Sequence, residues 1–211
     1  MSTSLPLPTK VSDVGTTLRR FVAKPAEVER CELCGAELRS EHEHLIEPAT
    51  RRILCACDSC VILFGYQAET KYKRVPRRIE VLVNFCLSDE AWNGLGIPIN
   101  LAFLFRSSAA GRVVAMFPSP GGCTESLLRF DTWDELVADN PALGKLQPDV
   151  EALLINRMQC NRAYYRAPID ECYKLAGLIR SHWSGLSGGT EVWRNVDHFF
   201  RDLDAQVAQR T

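Results

Sequence analysis

Two short cysteine pairs carry most of the chemistry legible in this chain. Cys31 and Cys34 flank two residues in CELCG, and Cys57 and Cys60 flank two residues in CDSC. Two intervening residues let the backbone turn so that both sulfurs face one ion, and a tetrahedral ion is satisfied by two such turns. The gap of 22 residues between the pairs is slightly longer than the roughly 15–20 of the common four-cysteine zinc pattern. Gly35 follows the first pair and tolerates the positive φ that such a knuckle uses. Val61 follows the second pair. That asymmetry disfavours two rubredoxin-like knuckles and favours a second pair running straight into a helix, as in treble-clef fingers. Zinc is the leading ion and iron the runner-up, because tetrahedral sulfur suits both. Four thiolates leave no open position, so the ion folds the segment rather than catalysing. A redox dithiol ranks below these, because no βαβ pattern surrounds the pairs.

The stretch between the pairs holds two of the four histidines. HEHLIEP at 42–48 and RRILCAC at 51–57 pair as a hairpin around Pro48, Ala49 and Thr50. On a strand His42 and His44 share a face, and so do Cys55 and Cys57. Either histidine is an alternate for a cysteine ligand, and Cys55 is an alternate for Cys57. HEHLIEP also has part of the His-rich strand of HNH nucleases. The later Asn and His of that motif have no counterpart around CDSCVILF, so nuclease chemistry does not follow.

The elements that must position these residues read as an α+β chain. A short helix is expected at 15–23. IEVLVNFCL at 79–87 has the apolar run of a buried strand, and Ser88 is placed to cap a short helix carrying Trp92. Residues 97–120 have a hairpin pattern with a small-residue turn at 107–111. PSPGG at 118–122 is a turn, and SLLRF at 126–130 a third strand. Thr132 and Glu135 fit a capping box for a helix to about residue 139. Pro148 suits the start of a helix to about 159, and Pro168 the start of the next. In that helix Ile169, Cys172, Leu175, Ala176, Ile179 and Trp183 form one apolar face. GLSGG ends it, and a last helix from Thr190 buries Val192, Val196, Phe199, Phe200, Leu203 and Val207. The expected architecture is an antiparallel sheet with a C-terminal helical layer, plus a small N-terminal zinc-ribbon or treble-clef-like metal module. The expected boundaries are a flexible N-terminus at 1–27, the metal module at 28–66, a basic linker at 67–78 and the α+β body at 79–211.

Other candidates have plain structural readings. KYKRVPRR at 71–78 has five positive charges and reads first as a solvated linker, second as a phosphate-binding strip. Cys123 beside Gly121 and Gly122 reads as a thiol in a tight turn. Asp149, Glu151, Asn156 and Arg157 could share a polar pocket on the expected 148–159 helix, where acidic residues near the start suit the helix dipole alone. Cys172 reads as core, and His182 and His198 as ordinary helix histidines.

Bulk properties bound the function. The 211 residues include 46% hydrophobic and 24% charged residues, with a net charge of −1. That balance argues against a whole-protein nucleic-acid binder. No run approaches the ~18 apolar residues of a membrane helix. The opening MSTSLPLPTKVSDVG lacks a signal-peptide layout. A cytoplasmic protein is expected, in which nine cysteines are thiols or metal ligands rather than disulfides.

Taken together, CELCG, HEHLIEP, CACDSC, IPINLAFLF, FPSPGG, PDVEALLINR, IDECYKLAGLIRSHWSGLSGG and WRNVDHFF resemble an uncharacterised bacterial family across about residues 30–203. Its genes are often found beside those of high-affinity uptake NiFe hydrogenases. The resemblance implies an accessory role in assembly or maturation, with a hydrogenase subunit or maturation factor as partner. A one-iron electron carrier serving a hydrogenase is the alternative. A third is an enzyme whose site lies in the α+β body, around residues 118–125 and 149–157.

Overall fold

The computed structural model describes residues 28–66, 71–126, 131–159 and 161–209. The expected 15–23 helix, most of the SLLRF segment and Cys160 lie outside them. Among the described residues nine strands and five α-helices follow in chain order. They are β1 (Glu43–Glu47), β2 (Arg52–Ala56), α1 (Asp58–Phe64), β3 (Lys73–Arg74), β4 (Glu80–Val81), α2 (Asp89–Gly94), β5 (Leu101–Ser107), β6 (Arg112–Ser119) and β7 (Gly122–Ser126). After these come α3 (Asp131–Asp139), a 3-10 turn (Pro141–Lys145), β8 (Glu151–Asn156), β9 (Ala163–Pro168), α4 (Ile169–His182) and α5 (Gly189–Ala208).

The body is built on a six-stranded antiparallel sheet in the order β4-β9-β8-β5-β6-β7. Its central strands carry unbroken apolar runs, Leu101–Phe105 in β5 and Ala152–Ile155 in β8, because both faces are covered. Leu101, Phe103 and Phe105 of β5 point to one side, where α4 and α5 supply Cys172, Leu175, Ile179, Val192, Val196 and Phe200. Ala102 and Leu104 point to the other, against Trp92 of α2, Trp133 and Leu136 of α3, and Leu143 of the 3-10 turn. The expected C-terminal helical layer is present, and a second layer of short helices closes the opposite face. Each fully buried large apolar side chain here contributes about 1.5–3 kcal/mol. Ser88 caps α2, accepting the Ala91 N–H at 3.0 Å. Gly188 turns the chain into α5 at φ 88°, where an added Cβ would meet Val192 Cγ1 at 2.9 Å.

Several local expectations are corrected. Residues 148–159 do not form a helix. EALLIN is the fully buried strand β8 between β5 and β9. A short apolar run reads equally as buried helix or buried strand, and Pro148 and Asp149 before it suit a helix start as well as the turn they form here. The strand β9 was not foreseen. The run at 79–87 pairs only at Glu80 and Val81, on the sheet edge, and Val83 is exposed. The third strand of the meander is Gly122–Ser126, earlier than expected, because the chain reverses at Pro120 and Gly121. The helix expected to be capped by Thr132 begins at Asp131.

The small module combines the cysteine-bearing segment with β3 of the basic stretch in a three-stranded sheet of order β2-β1-β3. Within the basic stretch Lys73 and Arg74 form β3 against β1. Its charges are paired, Lys71 with Glu47, Lys73 with Asp149, Arg74 and Arg77 with Glu43, and Arg78 with Glu80. Alternate residues of β1 serve two cores. Leu45 packs inside the module with Cys31, Ala56, Cys60 and Val61, while Ile46 packs into the body. Polar ties add to the seam. Arg51 donates to Glu125 at 2.9 Å and lies 5.7 Å from the Phe105 ring centroid. Lys73 reaches the buried Asp149 at 2.6 Å, and His44 meets Asp170 at 2.7 Å.

Candidate metal centre

The first knuckle forms as its glycine requires. Gly35 adopts φ 76°, its N–H donates to the Cys31 carbonyl at 2.8 Å, and the Cys31 N–H donates to the Ala36 carbonyl at 2.8 Å. Glu32 ties the knuckle to the free edge of β2. Its N–H donates to the Cys55 carbonyl at 3.0 Å, and its carboxylate accepts the Cys55 N–H at 2.8 Å. The second pair lies where β2 passes into α1. Cys57 occupies the N-cap position and Cys60 the first turn of the helix. The order is knuckle, hairpin, helix, with the second pair at the helix start. This is the treble-clef-like arrangement expected from the missing second glycine.

The fold brings all four sulfurs together. One atom from each of Cys31, Cys34, Cys57 and Cys60 lies within 4.8 Å of every other. Cys34 Sγ and Cys57 Sγ are 3.6 Å apart, and both residues are free thiols. Thiolates at about 2.3 Å from a central zinc ion have tetrahedral edges of about 3.8 Å. The observed separation matches that edge and is far beyond the ~2.05 Å of a disulfide. The donor set therefore fits a tetrahedral ion. Cys31 and Cys60 are buried, whereas Cys34 is exposed.

The electrostatics of the cluster point the same way. Burial pushes the Cys31 thiol up, but amide donors, that of Cys57 foremost, outweigh it and bring Cys31 down to about 6. Burial and the neighbouring sulfurs push Cys60 far up. Packed thiolates repel, so the protein alone stabilises charge at one end of the cluster and opposes it at the other. A bound dication lets all four ionise together.

The alternates are not part of this cluster. His42, His44 and Cys55 form a separate group, their ligand atoms within 4.8 Å of one another. The register explains the separation. His44 pairs with Cys55 across the hairpin, and their shared face looks toward the body rather than toward α1.

The remaining candidates are dispersed. Cys123 lies on β7, opposite Pro118, and burial raises its thiol to about 11, the reverse of an activated nucleophile. Asp149 accepts from Ser108 and Lys73. Glu151 accepts from Arg166 and from the Gln147 N–H. Asn156 accepts the Met158 N–H. Arg157 pairs with Asp89 and lies 5.3 Å from the Trp92 ring centroid. The four polar residues expected to share one pocket thus have separate partners. β5 and β6 also separate β7 from β8. Cys172 is fully buried on α4, as its place in the stripe required. His182 Nδ1 lies 3.0 Å from the Leu178 carbonyl, which can only accept, and His198 pairs with Asp202. Sequence reasoning missed Asp170 as a partner of the hairpin. Only its position opening α4 hinted at a role, and the two residues in the bond lie 126 apart in the chain.

Fold and site define a mixed α+β protein carrying a treble-clef-like four-cysteine module able to hold a metal ion. The chain belongs to a family of unknown function, DUF5947, whose model matches residues 30–207 and so spans both module and body. No curated protein and no solved structure matches it. Among the described residues no helix is long and apolar enough to cross a membrane.

Proposed function

We propose that this is a non-catalytic accessory protein that works by binding another protein, with a structural zinc ion held by Cys31, Cys34, Cys57 and Cys60. The observation that carries the reading is the closed four-sulfur cluster, which leaves an ion no position for substrate. The cluster folds a module whose helix α1, with the bend that follows it, shows apolar side chains to solvent. Ile62, Leu63, Phe64 and Tyr66 are 67%, 57%, 39% and 64% exposed. Contiguous exposed apolar residues mark interaction surfaces. The basic stretch, the other surface considered, has its charges engaged by the module and body. The family resemblance supplies the partner class, a subunit or maturation factor of a NiFe hydrogenase, and a cytoplasmic location agrees with free thiols.

The same sulfur donor set suits iron. A coloured one-iron protein would act instead as an electron carrier for the same partner. The enzyme reading loses support, because the groups it invoked at 118–125 and 149–157 do not converge.

The test is binding of purified hydrogenase subunits and maturation factors to the anaerobically prepared protein. Replacing both Ile62→Asp and Leu63→Asp is expected to weaken binding at least tenfold, a loss of about 1.4 kcal/mol or more. Metal content and thermal midpoint should stay unchanged, because both side chains face solvent. Unaltered binding in the double variant, or no binding by the unmodified protein, would refute the proposal.

A further inference from the structure

We infer that His42, His44 and Cys55 form a second metal site, a three-ligand site for an exchangeable zinc ion in the seam between module and body. One ring nitrogen of each histidine and the Cys55 sulfur lie within 4.8 Å of one another, and the two imidazoles meet edge to face with centroids 4.9 Å apart. The surroundings hold each ring in the form a metal needs. His42 Nδ1 lies 3.0 Å from the Arg39 carbonyl, which can only accept, so Nδ1 carries the proton and Nε2 the lone pair. That His42 side chain is nine-tenths buried. Its Nε2 has no partner among the described residues. A buried polar atom without a partner is costly, and such atoms in native proteins call for an explanation. A cation supplies one.

His44 is held in the same way. Its Nδ1 lies 2.7 Å from Asp170 Oδ2, the carboxylate–histidine arrangement that orients metal-binding imidazoles and leaves Nε2 as ligand. Asp170 is itself fixed, because its other oxygen accepts the Glu171 N–H at 2.8 Å. Cys55 completes the set from the facing strand, its backbone pinned through both N–H and C=O by Glu32. On binding, zinc displaces the thiol proton to solvent and bonds to the thiolate. Two histidines and one cysteine are a donor set that leaves zinc its fourth position. His42 and His44 line a cavity of about 580 Å³ between module and body, with Arg77, Glu171 and Lys174 also on its wall. Water or a small molecule from this cavity would take the fourth position. The inference stands independently of the four-sulfur site, and it gives the protein a labile ion beside a closed one.

Zinc titration of the anaerobically purified protein against a chelating competitor tests this. The unmodified protein is expected to bind a second zinc per chain. Cys55→Ser and His42→Ala should each lose that zinc and keep the first. Asp170→Asn, which retains shape at the seam, should bind both but weaken the second by about 10–100-fold. Cys34→Ser reports on the other cluster separately. A zinc that survives Cys34→Ser and disappears in Cys55→Ser upholds the second site even if the first fails. No zinc beyond the one removed by Cys34→Ser, or a second zinc persisting in both Cys55→Ser and His42→Ala, would overturn the inference.

Discussion

Cys60→Ser is expected to strip the ion from the four-sulfur cluster and unfold the module. Cys60 sits in the first turn of α1, only 5% exposed, against Cys31, Leu45, Ala56 and Val61. That apolar cluster is small, and folded units below about 40 residues generally need a metal, disulfides or a partner. Structural zinc sites supply about 10–16 kcal/mol of apparent binding free energy in isolated fingers. Losing one of four thiolates therefore removes more than so small a core can replace. His42, His44 and Cys55 face away from α1 and cannot substitute. At about 2–4 °C per kcal/mol for a chain of this size, the thermal midpoint should fall by about 10 °C or more. Calorimetry together with metal analysis checks this. The parallel control is Cys172→Ser, buried on α4, which should leave the metal in place. A Cys60→Ser protein with full metal and an unshifted midpoint would remove Cys60 from the ligand set.

The second large effect lies in the body. Glu151, 1% exposed on the central strand β8, accepts from Arg166 of β9 at 2.6 Å. The same carboxylate oxygen accepts the Gln147 N–H at 2.9 Å, and Arg166 also donates to the Lys145 carbonyl at 3.0 Å. Two charges withdrawn from water are tolerable only as a pair. Glu151→Ala leaves the guanidinium buried with only the part-exposed Glu80 carboxylate, 4.0 Å away, to offset it, at a cost of about 3–5 kcal/mol. Replacing both, Glu151→Leu with Arg166→Met, should recover most of that loss, because well-packed apolar groups do not incur the desolvation cost of the pair. Urea unfolding of the three proteins is the measurement. A loss below about 1 kcal/mol in Glu151→Ala would show that water reaches Arg166 and that the pair is not truly buried.

The metal module was the more legible part of the chain, because its signals are local. The cysteine spacing, Gly35, and the turn residues Pro48, Ala49 and Thr50 each act within a few positions of themselves. The hairpin and the helix after Cys57 followed from them. The apolar stripes of α4 and α5 were legible for the same reason, since 3.6-residue periodicity survives over 14 and 20 residues. The body's strands were not. EALLIN has no alternation to read, because β5, β9 and two helical layers bury all of it. Asp149 adopts φ 72° just before it, a conformation that the sequence PDVE does not advertise. The second cluster was visible only as spare ligands. That His42 and His44 share a face follows from the strand period. What that face meets depends on Asp170, brought from the far end of the chain by the packing of α4.

The most direct test of the account is X-ray absorption at the metal edge of anaerobically purified Cys55→Ser protein, in which, among the described residues, the four-sulfur cluster is the remaining candidate to bind an ion. The predicted result is a colourless protein with one zinc per chain and a single shell of four sulfurs at about 2.3 Å. A nitrogen or oxygen ligand in that shell, iron in place of zinc, or no metal at all would contradict it.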